Sequence, residues 1–316
     1  MFKQISVIGA GIMGSGIAQV IASANMRVSL FDINEVNLSK AMDTIENDLN
    51  KLVEQSYIDA NRVDDILNNI TCTVDLTECL QGSDFVFEVV PEKLSLKQEL
   101  YEKIERVVSE QTIIASNTSA IPLSELTEKV SHPSRYIIVH FMNPAPLVPL
   151  VEVITTKQTD EKVIDQTMAF VRAIEKSPVR LKKEIPGAVV NRLQAAILRE
   201  AFHLVEEDVV TLKDIDEVMR EGPGFRWGSI GPMQMVDLGG IDTWGAIMNH
   251  LSPELNRSTK ASPLINDLVD EGKLGVKVGE GIYDYTSEEI ERMIEARDYD
   301  FIEQLKQKRE RKKMTT

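Results

Sequence analysis

The sequence predicts an α/β protein: a doubly wound, mostly parallel sheet followed by a smaller all-α domain. Three observations predict it. Short β-rich runs alternate with amphipathic segments through the first half of the chain, a pattern that requires right-handed crossovers between parallel strands. A glycine-rich turn, "GAGIMGSG", stands where the first strand hands over to the first helix. After "EIPGAVVNR" the strand signals stop and helical spacing takes over.

The chain enters a strand at once, at 2–8, with Phe2, Ile5, Val7 and Ile8. Further strands are expected at 27–31, 70–74, 84–90, 112–116, 135–140, 149–154 and 178–182. The helices between them fall at 12–25, 34–55, 95–109 and 161–175. The stretch 34–69 is too long for one crossover, so two helices hinged near Ser56 are expected to project from the sheet as a hairpin insertion. Pro186 and Gly187 break the chain. Beyond them Val190, Leu193, Ile197, Ala201 and Leu204 keep helical spacing, and more helices follow at 213–221, 230–250 and 260–271. The expected domains are 1–187, 188–290 and a charged helix with a basic tail, "KQKRERKKMTT", at 291–316, read as a solvated helix with a frayed end.

Bulk properties narrow the function. A length of 316 residues suffices for two cores. The net charge of −15 argues against nucleic acid as a partner, since phosphate binding needs a basic surface. No run approaches the ~18 apolar residues of a membrane span. The opening strand leaves no room for a signal peptide, so a cytoplasmic location is expected. Cys72 and Cys79 are not spaced as a metal knuckle; they read as reduced packing thiols, and no metal is expected.

Gly9, Gly11 and Gly14 fit the dinucleotide fingerprint of a Rossmann-type fold, with Ile12 and Met13 inside the loop. Gly9 allows the tight turn, Gly11 lets a pyrophosphate approach the backbone, and Gly14 lets the helix pack close to the strands. Asp32, ending the second strand in "SLFDIN", can accept hydrogen bonds from both adenosine ribose hydroxyls. A 2′-phosphate would meet its carboxylate with no arginine beside it, so NAD is expected rather than NADP.

A nicotinamide cofactor needs a group that removes a hydroxyl proton while hydride leaves the carbon, and histidine suits that exchange near neutral pH. His132 precedes a proline in a loop, His203 lies within a helix and His250 ends one. His140 stands at the C-terminal end of a parallel strand, the edge where open α/β sheets bind ligands. Glu152, inside the next apolar run of "HFMNPAPLVPLVEV", is expected to fold back beside it and orient the ring.

"SNTSAIPLSEL", "HFMNPAPLVPLVEV", "PGAVVNRL" and "GKLGVKVGEGIYDY" resemble the 3-hydroxyacyl-CoA dehydrogenase family over roughly residues 2–286. The resemblance implies a nucleotide domain with a helical-hairpin insertion and a helical domain that dimerises. It also implies NAD-dependent oxidation of an L-3-hydroxy group to a 3-keto group. Carried onto this chain, it makes His140 the base and Glu152 its partner, with Ser119 and Asn191 holding the reacting oxygen. Asn117 matches a contact near the nicotinamide, and Glu92 and Lys97 match positions near its ribose. Without the resemblance, Asn117, Ser119 and Asn191 also suit ordinary helix capping.

Two departures bear on the substrate. Relatives that use the coenzyme A thioester usually read "MKLVEV", where this chain has Pro149 in place of the lysine. Their hairpin helices often carry a serine and a lysine that touch the coenzyme, where Asp48 and Gln55 stand here. Pro149 together with "FRW" in the run "GPGFRWGSIGPMQMVDL" is similar to relatives acting on free hydroxy acids, such as L-gulonate, L-carnitine and pyridine-carboxylate dehydrogenases. Arg226 is a candidate for pairing with a substrate carboxylate, or equally for a salt bridge within the helical domain or across a dimer contact. The first expectation is a short-chain 3-hydroxyacyl-CoA. The alternatives are the same chemistry on a free hydroxy acid, or an NAD-binding protein without catalysis. Met233, Met235, Val236, Leu238 and Ile241 suggest a contact surface, hence a homodimer.

Overall fold

The computed structural model describes residues Phe2–Thr315. It divides into two compact units, Met1–Val189 with Glu295–Thr316, and Val190–Ile294. The first unit runs β1 (Gln4–Ile8), α1 (Ile12–Ser23), β2 (Arg27–Phe31), α2 (Glu35–Glu54), α3 (Arg62–Asn68), β3 (Ile70–Thr73) and α4 (Leu76–Leu80). It continues with β4 (Phe85–Glu88), α5 (Leu94–Glu105), β5 (Ile113–Ser116), α6 (Leu123–Leu126), β6 (Tyr136–Phe141), β7 (Leu150–Ile154), α7 (Glu161–Ala173) and β8 (Ser177–Leu181).

Among the described residues these strands form one sheet, ordered β3-β2-β1-β4-β5-β6-β7-β8. All neighbours are parallel except β6 and β7, which run antiparallel. The order reverses between β1 and β4, and ligands of such sheets bind outside the strand ends at that switch point. The central strands are buried on both faces because helices cover both. Ile5, Val7, Phe85, Phe87, Ile137 and Val139 point to one apolar cluster, and Ile8, Val86, Ile114 and Ile138 to the other. The period of two therefore puts His140 on the side of Ile138, and Glu152 on the side of Ile154.

The expected strands and long helices are present with ends shifted by a few residues, and the structure departs from expectation in four places. The hairpin does not project. Leu38, Ala41, Ile45, Leu49 and Leu52 give α2 an apolar stripe, buried in the same cluster as α1. Ser56, at φ 55°, turns the chain into α3. The short helices α4 and α6 were not foreseen, being too brief to show a period.

In the second unit α8 (Val190–Glu206) and α9 (Leu212–Met219) lead through a π-helical segment at Arg220–Gly224 into α10 (Phe225–Ser229). The helix expected at 230–250 is two, α11 (Pro232–Gly239) and α12 (Ile241–Leu251), parted by Gly240 at φ 89°, which an L side chain adopts only with strain. α13 (Pro263–Asp270) follows, then α14 (Ser287–Thr315), which from Glu295 on belongs to the first unit. The second half of α14 is not simply solvated. Ile302 is buried in the cluster holding Leu49 and Leu52, and Phe301 and Leu305 pack against it. The Arg309 guanidinium lies 3.8 Å from the Tyr57 ring centre and is ion-paired with Glu175 at 2.9 Å.

Candidate active site

The turn after β1 is shaped by what cannot fit in it. Gly9 has φ 109°, and a Cβ there would lie 2.7 Å from the Val89 carbonyl oxygen. A Cβ on Gly14 would fall 1.8 Å from the Gly9 carbonyl oxygen, so α1 approaches the strand ends at a distance only glycine allows. At Gly11 nothing lies within 4 Å, which leaves open space where a pyrophosphate would meet the backbone and the start of α1. A cavity of about 940 Å³ begins here, lined by Gly9, Gly11, Ile12 and Met13, and runs from Asp32 at one end to Asn117 and Ser119 at the other. Its span and lining fit a dinucleotide.

Asp32 is held by three donors: the Ala10 amide at 3.0 Å on Oδ2, and the Asn34 amide at 3.1 Å with Asn37 Nδ2 at 2.9 Å on Oδ1. Oδ1 thus has both lone pairs engaged, and Oδ2 keeps its second lone pair to offer a ribose hydroxyl, one acceptor where the sequence suggested two. Asn37, Lys40 and Thr44 also line this end of the cavity, on the face of α2 turned to it. None of the three was singled out from the sequence, although Asn37 and Lys40 stand five and eight residues after Asp32 in a helix that starts at residue 35.

Below the other end lies a buried polar network that sequence reasoning missed. Glu88, ending β4, is fully buried and accepts from Lys97 Nζ at 2.7 Å, Tyr101 Oη at 2.8 Å, Ser116 Oγ at 2.7 Å and the Val90 amide at 2.9 Å. A buried carboxylate persists only when so satisfied. Lys97 gives its other donors to the Val90 carbonyl at 3.2 Å and to Glu92 at 3.2 Å. It lines the cavity, yet all three of its N–H groups are engaged within the protein, so it holds Glu92 in place. Burial would raise the Glu92 carboxyl, but the Thr118 hydroxyl, Lys97 and the Ala120 amide together hold it below the usual carboxylate range. The sequence did carry a signal: Glu88 sits in the apolar run "DFVFEVV", as Glu152 does in "LVEV".

β6 and β7 bring the titratable pair together. His140 and Glu152 are direct partners in the antiparallel register, and Nδ1 of His140 lies 3.0 Å from Oε2 of Glu152. Both are buried. Oε1 of Glu152 accepts the Val189 amide at 2.9 Å. With the carboxylate as acceptor, Nδ1 carries the ring proton and Nε2 is the basic nitrogen. Asn117, just after β5, accepts the Phe141 amide at 2.8 Å through Oδ1, which ties the cavity wall to the strand bearing His140. Ser119 follows two residues on, in the cavity lining. Asn191, in the first turn of α8, and Arg226, exposed on α10, are carried by the second unit.

A dinucleotide cavity at the switch point of a parallel sheet, with a carboxylate-held imidazole on a neighbouring strand, defines the class of nicotinamide-dependent oxidoreductases. The chain belongs to the 3-hydroxyacyl-CoA dehydrogenase family. Its residues 4–185 match the profile "3-hydroxyacyl-CoA dehydrogenase, NAD binding domain", and 187–285 match "3-hydroxyacyl-CoA dehydrogenase, C-terminal domain". It is 32% identical to the 5-formyl-3-hydroxy-2-methylpyridine 4-carboxylate 5-dehydrogenase of Mesorhizobium japonicum, over 92% of this chain and 93% of that one. A solved structure of a dehydrogenase of that name, described as an NAD+ dependent dismutase, superposes with a TM-score of 0.89 at 30% identity, covering 96% of this chain and 97% of its own. The (S)-3-hydroxybutyryl-CoA dehydrogenase of Ralstonia eutropha superposes at 0.76 with 31% identity, covering 91% and 100%. The protein is an NAD-dependent oxidoreductase acting on CH–OH groups. Among the described residues no helix is long and apolar enough to cross a membrane.

Proposed function

We propose that the protein oxidises an L-3-hydroxyacyl substrate, in the first instance a short-chain 3-hydroxyacyl-CoA, to the 3-keto product. The observation that carries this is the buried His140–Glu152 pair, on a strand that Asn117 of the cavity wall ties to the dinucleotide site through the Phe141 amide. The substrate hydroxyl gives its proton to Nε2 of His140 as the C–H bond breaks, and Glu152 stabilises the imidazolium that results. NAD, when bound, accepts the hydride. Gly9 and Gly11 take its pyrophosphate, Asp32 its adenosine ribose, and Glu92, steadied by Lys97, the nicotinamide side. Ser119 and Asn191 donate to the reacting oxygen, a hydroxyl and an amide polarising it without adding charge. The protein works in the cytoplasm, a reading supported by its free thiols, Cys72 and Cys79.

A second reading, a free hydroxy acid as substrate, is favoured by α14. The family profile ends at residue 285, and α14 begins at 287 and returns to the hairpin, the part of thioester-using relatives that touches the coenzyme. Here Asp48 is half-buried. Burial raises its carboxyl, Lys51 opposes, and Asp298 of α14 raises it further. A phosphate beside Asp48 would meet two carboxyls, and the pyridine-carboxylate enzyme matches this chain over a larger share than the hydroxybutyryl-CoA enzyme does. Arg226 then pairs with the substrate carboxylate. NADH consumption followed with acetoacetyl-CoA, and separately with acetoacetate and other free keto acids, decides between the two. No rate with the thioester ends the first reading.

The second unit also supports a homodimer. Phe225, Met233, Leu238 and Ile241 are largely exposed, while its buried apolar side chains among the described residues are Ala201, Phe202 and Met235. A helical unit with so little core of its own is completed by a second copy.

A further inference from the structure

Lys176 lies between α7 and β8, is buried, and takes no part in the chemistry above. Its ammonium donates to three backbone carbonyls, those of Ala145 at 2.6 Å, Pro146 at 3.0 Å and Val148 at 3.0 Å. Three N–H donors thus meet three acceptors, which is what allows a cation to stay buried at all. All three carbonyls belong to the turn that joins β6 to β7, and therefore His140 to Glu152. Next along the chain, the Ser177 amide donates to the Pro149 carbonyl at 2.7 Å and closes the same turn from the β8 side.

The turn has a second neighbour. A Cβ placed on Gly16 of α1 would lie 3.1 Å from Cδ of Pro146 and 3.2 Å from Cβ of Ala145. Two of the three residues that Lys176 gathers, Ala145 and Pro146, are thus seated against the helix of the dinucleotide turn. One buried ammonium holds both the linker of the titratable pair and its seat on the cofactor helix. Burial, with Lys308 adding to it and Glu175 opposing, pushes Lys176 down to about 7. The three carbonyls pull the other way, because only the charged form supplies three donors.

We infer that Lys176 is a positioning residue, fixing the His140–Glu152 pair relative to the dinucleotide turn. A side chain with no donor, such as methionine, leaves three carbonyls without partners and loosens the turn, so the pair and the cofactor lose their alignment while each binding surface persists. The inference rests on the proposed role of that pair.

The test uses the full chain, with Lys176→Met, Lys176→Arg and His140→Gln measured beside the wild type on whichever substrate is turned over. For Lys176→Met the NADH dissociation constant stays within about twofold and KM within about threefold, while kcat falls ~10- to 100-fold, the cost of about 1 Å of misalignment. Lys176→Arg falls between, because a planar guanidinium cannot point at three convergent oxygens. A Lys176→Met enzyme with unchanged kcat overturns the inference, and so does a loss of NADH affinity parallel to the loss of kcat. If the methionine variant does not fold, the arginine variant decides. Wild-type kcat then overturns the inference, and reduced kcat with unchanged NADH binding supports it. His140→Gln separates the two readings. If it turns over normally the pair itself has been misread, whereas an inactive His140→Gln beside a fully active Lys176→Met rejects Lys176 alone.

Discussion

Glu152 faces His140 across the antiparallel β6–β7 pair, with one carboxylate oxygen on the imidazole and the other on the Val189 amide. A hydrogen bond to each oxygen fixes the plane of the carboxylate, and the carboxylate in turn fixes the ring. The imidazole is thereby committed to one tautomer, with its basic nitrogen free for chemistry. Glu152→Gln keeps the shape but loses the charge that steadies the imidazolium. On the proposed mechanism kcat falls by roughly 10²-fold or more while NADH binding is retained. Steady-state kinetics with fluorescence titration of NADH checks both, and a kcat within a few-fold of wild type on the order of experimental scatter removes the orienting role.

Asp32 should set the cofactor preference. Its carboxylate is held by Ala10, Asn34 and Asn37 so that the lone pair left on Oδ2 meets the adenosine ribose. Asp32→Ala removes that acceptor and the repulsion of a 2′-phosphate, and leaves Lys40 in the cavity wall as a cation within reach. The NAD-over-NADP ratio of kcat/KM should drop by about 10- to 100-fold, the worth of a charge-assisted hydrogen bond. An unchanged ratio refutes the ribose role.

Glu105 offers a pH test of the fold rather than of the chemistry. Burial would raise its carboxyl, but the Ser131 amide and the Arg135 guanidinium, 3.1 Å away, hold it below the usual range. A carboxyl lowered in the folded state contributes stability above its unfolded pKa and loses it as pH falls through the folded value. Glu105→Gln should therefore melt below wild type near neutral pH, and the gap should close as pH drops below about 4. A gap that stays constant from about pH 7 to about pH 3 contradicts the ion pair's contribution.

Sedimentation tests the proposed homodimer. The wild type should sediment as a dimer, and Met233→Glu with Leu238→Glu should shift it toward monomer by placing unpaired charge on an apolar contact. A wild-type monomer at working concentration contradicts the proposal.

Much of this architecture is legible in the sequence because its signals are local. The glycine turn and Asp32 sit at fixed offsets from the first two strands, and a lone glutamate in an apolar run announces Glu152. What escaped depends on distant partners. Glu88 becomes intelligible only once Lys97, Tyr101 and Ser116 converge on it from α5 and β5. The packing of α14 was hidden because Phe301, Ile302 and Leu305 lie in a run dominated by charge, "DYDFIEQLKQKRERKK". Lys176 was passed over since a lysine at a helix end is ordinarily solvated; its burial follows from carbonyls some 30 residues away in sequence.

The central claim is that His140 takes the hydroxyl proton. It is tested most directly by single-turnover NADH formation in His140→Gln, run with 3-hydroxybutyryl-CoA and with a free 3-hydroxy acid. The account predicts NADH affinity within about twofold of wild type and a rate lowered by about 10²- to 10⁴-fold on the substrate that wild type uses. A rate close to that of wild type, with NADH affinity intact, would contradict it.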